Sequence, residues 1–383
     1  MFILLSVHLI YYNPVYTGIA GFLMATPLVF SFAVGPIVDR RSKVAIMRLT
    51  TFLEFLVLAL LAFTPLQEQF GILFMFAVIF AYNIADLFEE PAGTALLPQI
   101  TQQEDILRAN SIIEIAAMAG GIIIGAVLFI SLGGEIPFRF LFGFSAVFVA
   151  LAFIFSLFMK NTSANQNTGK SLPTSYLQDL KEGVKFIRRS FLLHIILAAM
   201  AMGFAAEIAF VNRPMFLEYH IGAQGYVLIS LMVLIGGIVG SSFIDILGNK
   251  FKAGKLIFVL ILLAGAVRIV FALVVPIKLI GGLITIVIYA ALVNATDIIF
   301  SSLNQKIPSR DMVGRIGTIS TTFTTILVAL GAFVGGFFGR IVPDVSYIFI
   351  YQGISFVVIG ATIIFIPSIR KLPKMNEIEK PRD

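Results

Sequence analysis

The chain has 383 residues, 59% of them hydrophobic and only 13% charged, with a mean hydropathy of +1.00. A soluble domain of this length carries about twice that share of charge, and apolar runs of about 20 residues, each enough to cross roughly 30 Å of hydrocarbon, recur throughout. That excludes a soluble globular protein, and a β-barrel would instead show alternating segments of about 10 residues. The fold class is an all-α polytopic membrane protein. Without cysteine, disulfides, thiolate metal sites and cysteine nucleophiles are excluded as well. The net charge of +6 is read as loop lysines and arginines that hold topology, with no nucleic-acid partner.

In chain order, the sequence opens on a 12-residue apolar fragment, 1–12, and then predicts spans near 15–38, 44–65, 69–90, 108–132 and 137–159. The fragment "MFILLSVHLIYY" has no basic leader of a signal peptide and is too short to span. About 20–30 upstream in-frame residues are therefore expected to complete the first helix. A polar stretch, 160–190, follows, and then spans near 191–211, 221–247, 254–275, 279–303, 316–340 and 345–367. The domain organisation is an N-terminal helical half (1–159, first helix incomplete), a linker (160–190), a C-terminal helical half (191–367) and a polar tail (368–383). Within the linker, "SYLQDLKEGVKFIRRS" places Tyr176, Leu177, Leu180, Val184 and Ile187 on one helical face with basic residues around it. Such a helix is expected to lie on an anionic membrane surface.

If loops alternate in side, 22 of the 27 basic residues fall on the side of the turn "DRRSK" (Asp39–Lys43), and four on the other, Arg139, Arg213, Lys278 and Arg340. Arg268 lies inside a span. The asymmetry makes that turn cytoplasmic.

The two halves repeat. "AYNIADLFEEP" before the linker matches "LVNATDIIFSS" after it, so that Asn83 and Asp86 pair with Asn294 and Asp297. Pro98 and Pro308, Arg108 and Arg315, and Asp39 and Asp245 recur in the same order, at offsets of about 206 to 211 residues. Two six-helix halves, a basic central loop and "GPIVDRRSK" between the second and third helices resemble the major facilitator superfamily. Gly35, Asp39 and Arg40 match that family's glycine-x-x-x-Asp-Arg motif, and Ser42 stands where glycine is usual. In the second copy, Asp245 and Gly248 match but Ile246 replaces the arginine. "EEPAGTALLPQIT" and "IPSRDMVGRIGTIS" resemble the drug-exporting branch that includes macrolide efflux proteins and the enterobactin exporter.

The resemblance implies that the first, fourth, seventh and tenth helices line a central cavity and the third, sixth, ninth and twelfth lie outside. Ionisable residues inside spans are costly and need a reason. Asp86, Asp297 and Glu207 fall on cavity helices and are expected to bind a cationic substrate or exchange protons, with Asn83 and Asn294 one helical turn before the two aspartates. Glu54 and Arg268 fall on outer helices and are expected to be structural, and Glu114 is undecided. Gly35, Asp39, Arg40 and Arg315 are expected to form a cytoplasmic gate in which Asp39 faces the start of the eleventh helix, with Asp245 and Arg108 as its symmetry mate. The glycine rows "AGGIIIGAVLF" and "GAFVGGFFG" meet the need for close helix packing in lipid.

"TGKS" and "GNKFKAGKL" fail the P-loop spacing, and the three histidines form no H-E-x-x-H pair. No cofactor or metal is expected, and no enzyme activity. The expected protein is a monomeric, proton-coupled exporter of amphipathic, macrolide-like drugs, multi-pass in a bacterial inner (plasma) membrane. A siderophore or lysophospholipid transporter is the alternative, and a passive channel the weaker one.

Overall fold

Apolar runs in hydrocarbon become helices because each backbone N–H and C=O has to be satisfied within its own segment. The computed structural model describes residues 2–31, 34, 37, 38, 41–64, 71–100, 120, 121, 127, 138–159, 183–308 and 310–378. The helices are α1 (Phe2–Tyr11), α2 (Pro14–Ala25, continued by a 3-10 turn at Pro27–Phe30), α3 (Lys43–Phe63), α4 (Gly71–Ile100) and α5 (Phe138–Phe158). They continue as α6 (Leu192–Lys250), α7 (Ala253–Val274), α8 (Leu279–Lys306), α9 (Arg310–Ile341), α10 (Ser346–Ile364) and the single turn α11 (Pro367–Arg370). Among the described residues, nine helices are long and apolar enough to cross a membrane, the two arms of α6 counted separately. The span predicted at 108–132 lies almost wholly outside the described residues.

Several helices outrun their predicted ends. α4 continues from 90 to Ile100 through Pro91 and Pro98, α8 runs on to Lys306, and α9 starts at Arg310. Falling hydropathy marks the edge of the hydrocarbon, not the end of the hydrogen-bonded ladder, so polar turns extend the rods. α6 is two spans joined at Gly222, whose φ of 75° and ψ of 169° lie in a region that side-chain-bearing residues rarely adopt. The first arm thus reaches Gly222, well past the predicted 211.

The chain divides into two compact units: Met1–Tyr12 with Leu23–Leu172, and Asn13–Phe22 with Pro173–Asp383. In the first, α3 packs on α4 and α5. Ser42 caps α3 by accepting from the Ala45 N–H at 3.3 Å. Arg48, placed by sequence among the topology-setting cations, closes the C-terminus of α5: its Nε donates to Ser156 O at 3.0 Å and its Nη2 to Leu157 O at 3.3 Å. A cation there satisfies orphan carbonyls and opposes the negative end of the helix dipole. Arg48→Met is expected to lower the stability of this unit by about 1–3 kcal/mol, read as an earlier thermal unfolding midpoint of the detergent-solubilised protein.

In the second unit, α7 packs on α8 and α10, and α6 on α8 and α9, around a core that includes Ile257, Ile261, Ile299, Leu303, Ile316 and Phe356. Residues 183–189 are helical, and their Ile187 is buried in this core while Lys185, Arg188 and Arg189 are exposed. Part of the linker helix's apolar face is therefore spent on its own unit rather than on lipid. The tail also packs: Lys306 Nζ donates to Met375 O at 2.7 Å, Met375 N to Gly248 O at 3.1 Å, and Ala253 N to Pro373 O at 2.9 Å. At the start of α10, Asp344 accepts from the Ser346 N–H at 2.8 Å, and this bond with that of the Ser346 hydroxyl holds its carboxyl below the usual carboxylate range. What this adds to stability is present at neutral pH and fades as pH falls through that lowered value.

Candidate functional site

Three positions along α8 (Asp297, Ser301 and Asn304) share a face by their spacing, and Ser320, Thr321, Thr324 and Thr325 share a face of α9. The two faces line an open cavity of about 500 Å³, completed by Ala199 of α6, Phe300 and Gly317. Asp297 is exposed, on a side of α8 turned away from the apolar core. Asn304 reaches across to α9, its Nδ2 donating to Ser320 Oγ at 3.5 Å, while its Oδ1 is buried without a hydrogen-bond partner. Asn294, one turn before Asp297, lies beside Gly237 of α6, and its Oδ1 is likewise buried and unpaired.

The first unit holds the symmetry mates. Asp86 is exposed on α4, and Asn83 donates its Nδ2 to the Ile79 carbonyl of its own helix at 2.8 Å. Deeper in this unit Glu54 of α3 is only 7% exposed, and its carboxyl is within hydrogen-bonding reach of that of Glu89 on α4. Glu89 Oε2 also accepts from Thr50 Oγ1 at 3.0 Å. Glu54 thus has a carboxyl neighbour, Glu89, that the sequence reading does not single out because it sits beside Glu90 and Pro91 at the end of the predicted span.

Glu207 sits in the first arm of α6, where α2 and α9 cross it. A Cβ on Gly21 would lie 3.8 Å from Glu207 Oε1, and one on Gly331 would lie 3.2 Å from Glu207 Cβ. The crossing is close because glycines form it: a Cβ on Gly18 would come within 2.5 Å of Gly336 Cα. Next in α6, Asn212 is fully buried and donates to Gly335 O at 2.7 Å, and Arg213 lies over the rings of Phe210 and Tyr226 at 4.7 and 5.1 Å. Gly18→Val is expected to part α2 from α9, measured as an earlier thermal unfolding midpoint of the detergent-solubilised protein.

Arg268 is 4% exposed in α7; its Nε donates to Gln352 Oε1 at 2.6 Å, and its guanidinium is flanked by Phe271, Tyr289 and Phe349 at 4.6 to 4.9 Å. Of the proposed gate, Gly35, Asp39, Arg40 and Arg108 lie outside the described residues, as does Glu114. Asp245 and Arg315 fall within α6 and α9, and their side chains are outside what is described. Among the described residues, no group of three or more histidine, aspartate or glutamate side chains is arranged to hold a metal.

Long apolar helices in a duplicated order, with carboxylates repeated at matching places, define a polytopic membrane protein of transporter architecture. Residues 5–336 match the profile of the Major Facilitator Superfamily. The proposed bacilysin exporter BacE of Bacillus amyloliquefaciens is 22% identical over 311 residues, covering 80% of this chain and 76% of that protein. The staphyloferrin A transporter of Staphylococcus aureus is 24% identical over 216 residues, 54% of this chain and 53% of that one. Among solved structures, the fold is similar to a nucleoside transporter, NupG, in a mutant form (TM-score 0.77, 16% identity, 95% of this chain and 94% of that one). It is also similar to a D-xylose–proton symporter (TM-score 0.71, 12% identity, 96% of this chain and 89% of that one). The chain belongs to the major facilitator superfamily, and it is a multi-pass transporter.

Proposed function

We propose that this transporter is a proton-coupled exporter of amphipathic, amine-bearing drugs, macrolide-like compounds included, working as a monomer by alternating access in a bacterial plasma membrane. The observation that carries this reading is the polar cavity of the second unit with the Asp297 carboxylate on its wall, at the place where the sequence repeat sets Asp86 in the first. A carboxylate in such a pocket attracts either a proton or a substrate cation, and exchange of one for the other is the coupling an antiporter needs. Glu207, midway along the first arm of α6, is the group that passes the proton on toward the far side. Asp39 and Asp245, with Arg315 and Arg108, brace the cytoplasmic gate. The exporter names carried by relatives support the direction of transport.

The test is accumulation of a panel of amine-bearing amphipathic drugs in an expressing bacterial strain. Lower accumulation, restored by a protonophore, is expected; equal accumulation in expressing and empty cells across the panel contradicts the reading. A second reading, export of a siderophore, is favoured by the similarity to the staphyloferrin A transporter. It predicts release of an iron chelator from expressing cells with no change in drug accumulation.

A further inference from the structure

We infer that the cavity among α6, α8 and α9 seats a cationic, hydroxyl- or amide-rich group of the transported compound, of the amino-sugar or amine-bearing peptide kind, and excludes polyanions. This deepens the reading above and rests on it: the cavity is taken as a substrate site because the chain is a transporter.

The wall is polar by the pattern of the sequence. On α9, positions 317, 320, 321, 324 and 325 alternate in steps of three and one, which keeps them on one face, and four of the five carry hydroxyls. A serine or threonine in a membrane helix ordinarily bonds back to its own ladder, as Thr285 does to Gly281 O and Thr296 to Leu292 O, both at 2.8 Å. Among the described residues, Thr321, Thr324 and Thr325 make no such bond, so their hydroxyls are available to the cavity. Ser320 accepts from Asn304, whose own carbonyl oxygen remains unpaired. Hydroxyls that brace helix to helix would be consumed in pairing, whereas these line a space of about 500 Å³, within the range of about 300–1,000 Å³ that drug-sized ligands occupy.

The charge on the wall is one-sided. Among the described residues, Asp297 is its sole ionisable lining residue, and the nearest described cation on α8, Lys306, is turned to a different pocket, where it donates to Met375 O. A protonated amine gains a charge-assisted bond to Asp297. Each hydroxyl donates and accepts, so sugar hydroxyls or amides find partners of either sense. A polycarboxylate would bring like charge to Asp297 with no described cation to offset it.

The test is equilibrium binding to the full chain, purified in detergent, by titration calorimetry with kanamycin, its fully N-acetylated form, and citrate. Kanamycin is expected to bind. N-acetylation and Asp297→Asn should each weaken binding by about tenfold or more, equal to about 1.4 kcal/mol. The shape-conserving pair Thr321→Val and Thr324→Val should weaken it several-fold with an unchanged thermal midpoint, which separates a binding role from a folding one. Absence of kanamycin binding, citrate binding as tightly as kanamycin, or affinity indifferent to all these substitutions overturns the assignment. Because binding needs no gradient, amine-selective binding without proton-dependent export would contradict the transport reading alone. Export with amine-indifferent binding would contradict the cavity assignment alone.

Discussion

Asp297→Asn, and more so combined with Asp86→Asn, is expected to leave a folded, membrane-inserted protein that no longer exports uphill. Both aspartates are exposed on their helices, and asparagine keeps the shape of each side chain, so neutralising them opens no void. Substitutions at such positions ordinarily change stability by no more than about 0.5 kcal/mol. What is lost is the carboxylate on the wall of the second unit's cavity, proposed above as the coupling group, and its repeat in the first. Proton-driven transport into proteoliposomes should fall by more than about tenfold, about 1.4 kcal/mol when read as a ratio, while substrate counterflow persists once substrate is raised enough to offset the weaker binding. Wild-type driven transport in both single variants and in the double variant would make the two carboxylates structural.

Arg268→Ala is expected to give the largest loss of stability from a single change in the second unit. Gln352, 2% exposed, joins Arg268 to the Tyr289 hydroxyl at 2.7 Å, so truncation strands a buried amide oxygen. It also empties the space among Phe271, Tyr289 and Phe349. Cavity formation and the orphaned acceptor together cost about 3–5 kcal/mol, a large part of the roughly 5–15 kcal/mol that holds a typical protein folded. Arg268→Met restores most of the volume without the donor and should recover part of that loss. Thermal unfolding in detergent orders the three proteins, wild type above Met above Ala. A midpoint for Arg268→Ala equal to wild type would show that the aromatic enclosure contributes nothing. Transport per folded molecule should be unchanged in Arg268→Met, since the residue is not among those lining the cavity.

Much of this architecture is legible in the residues. Run length places the spans among the described residues, though not their ends, because hydrocarbon thickness sets it, and the N-x-x-D repeat singles out Asp86 and Asp297 without any structure. The glycine row "GAFVGGFFG" declares the close crossing that Gly18 and Gly336 form. Other features need coordinates. The proximity of Glu54 and Glu89 joins residues 35 positions apart on different helices, which no local spacing reveals. The hydroxyl stripe of α9 was present in "TISTTFTTIL", yet composition cannot tell a hydroxyl bonded to its own ladder from one open to a cavity. Arg48 likewise counts as a topology cation until the end of α5 is seen beneath it.

The central claim, exchange of protons for an amine-bearing substrate through a carrier, meets its most direct test in proteoliposomes under an imposed pH gradient. The account predicts saturable accumulation of substrate against its own gradient, collapse on adding a protonophore, and trans-stimulated counterflow that survives the collapse. Flux that only dissipates the substrate gradient, without saturation and without counterflow, would contradict it and would describe a passive pore.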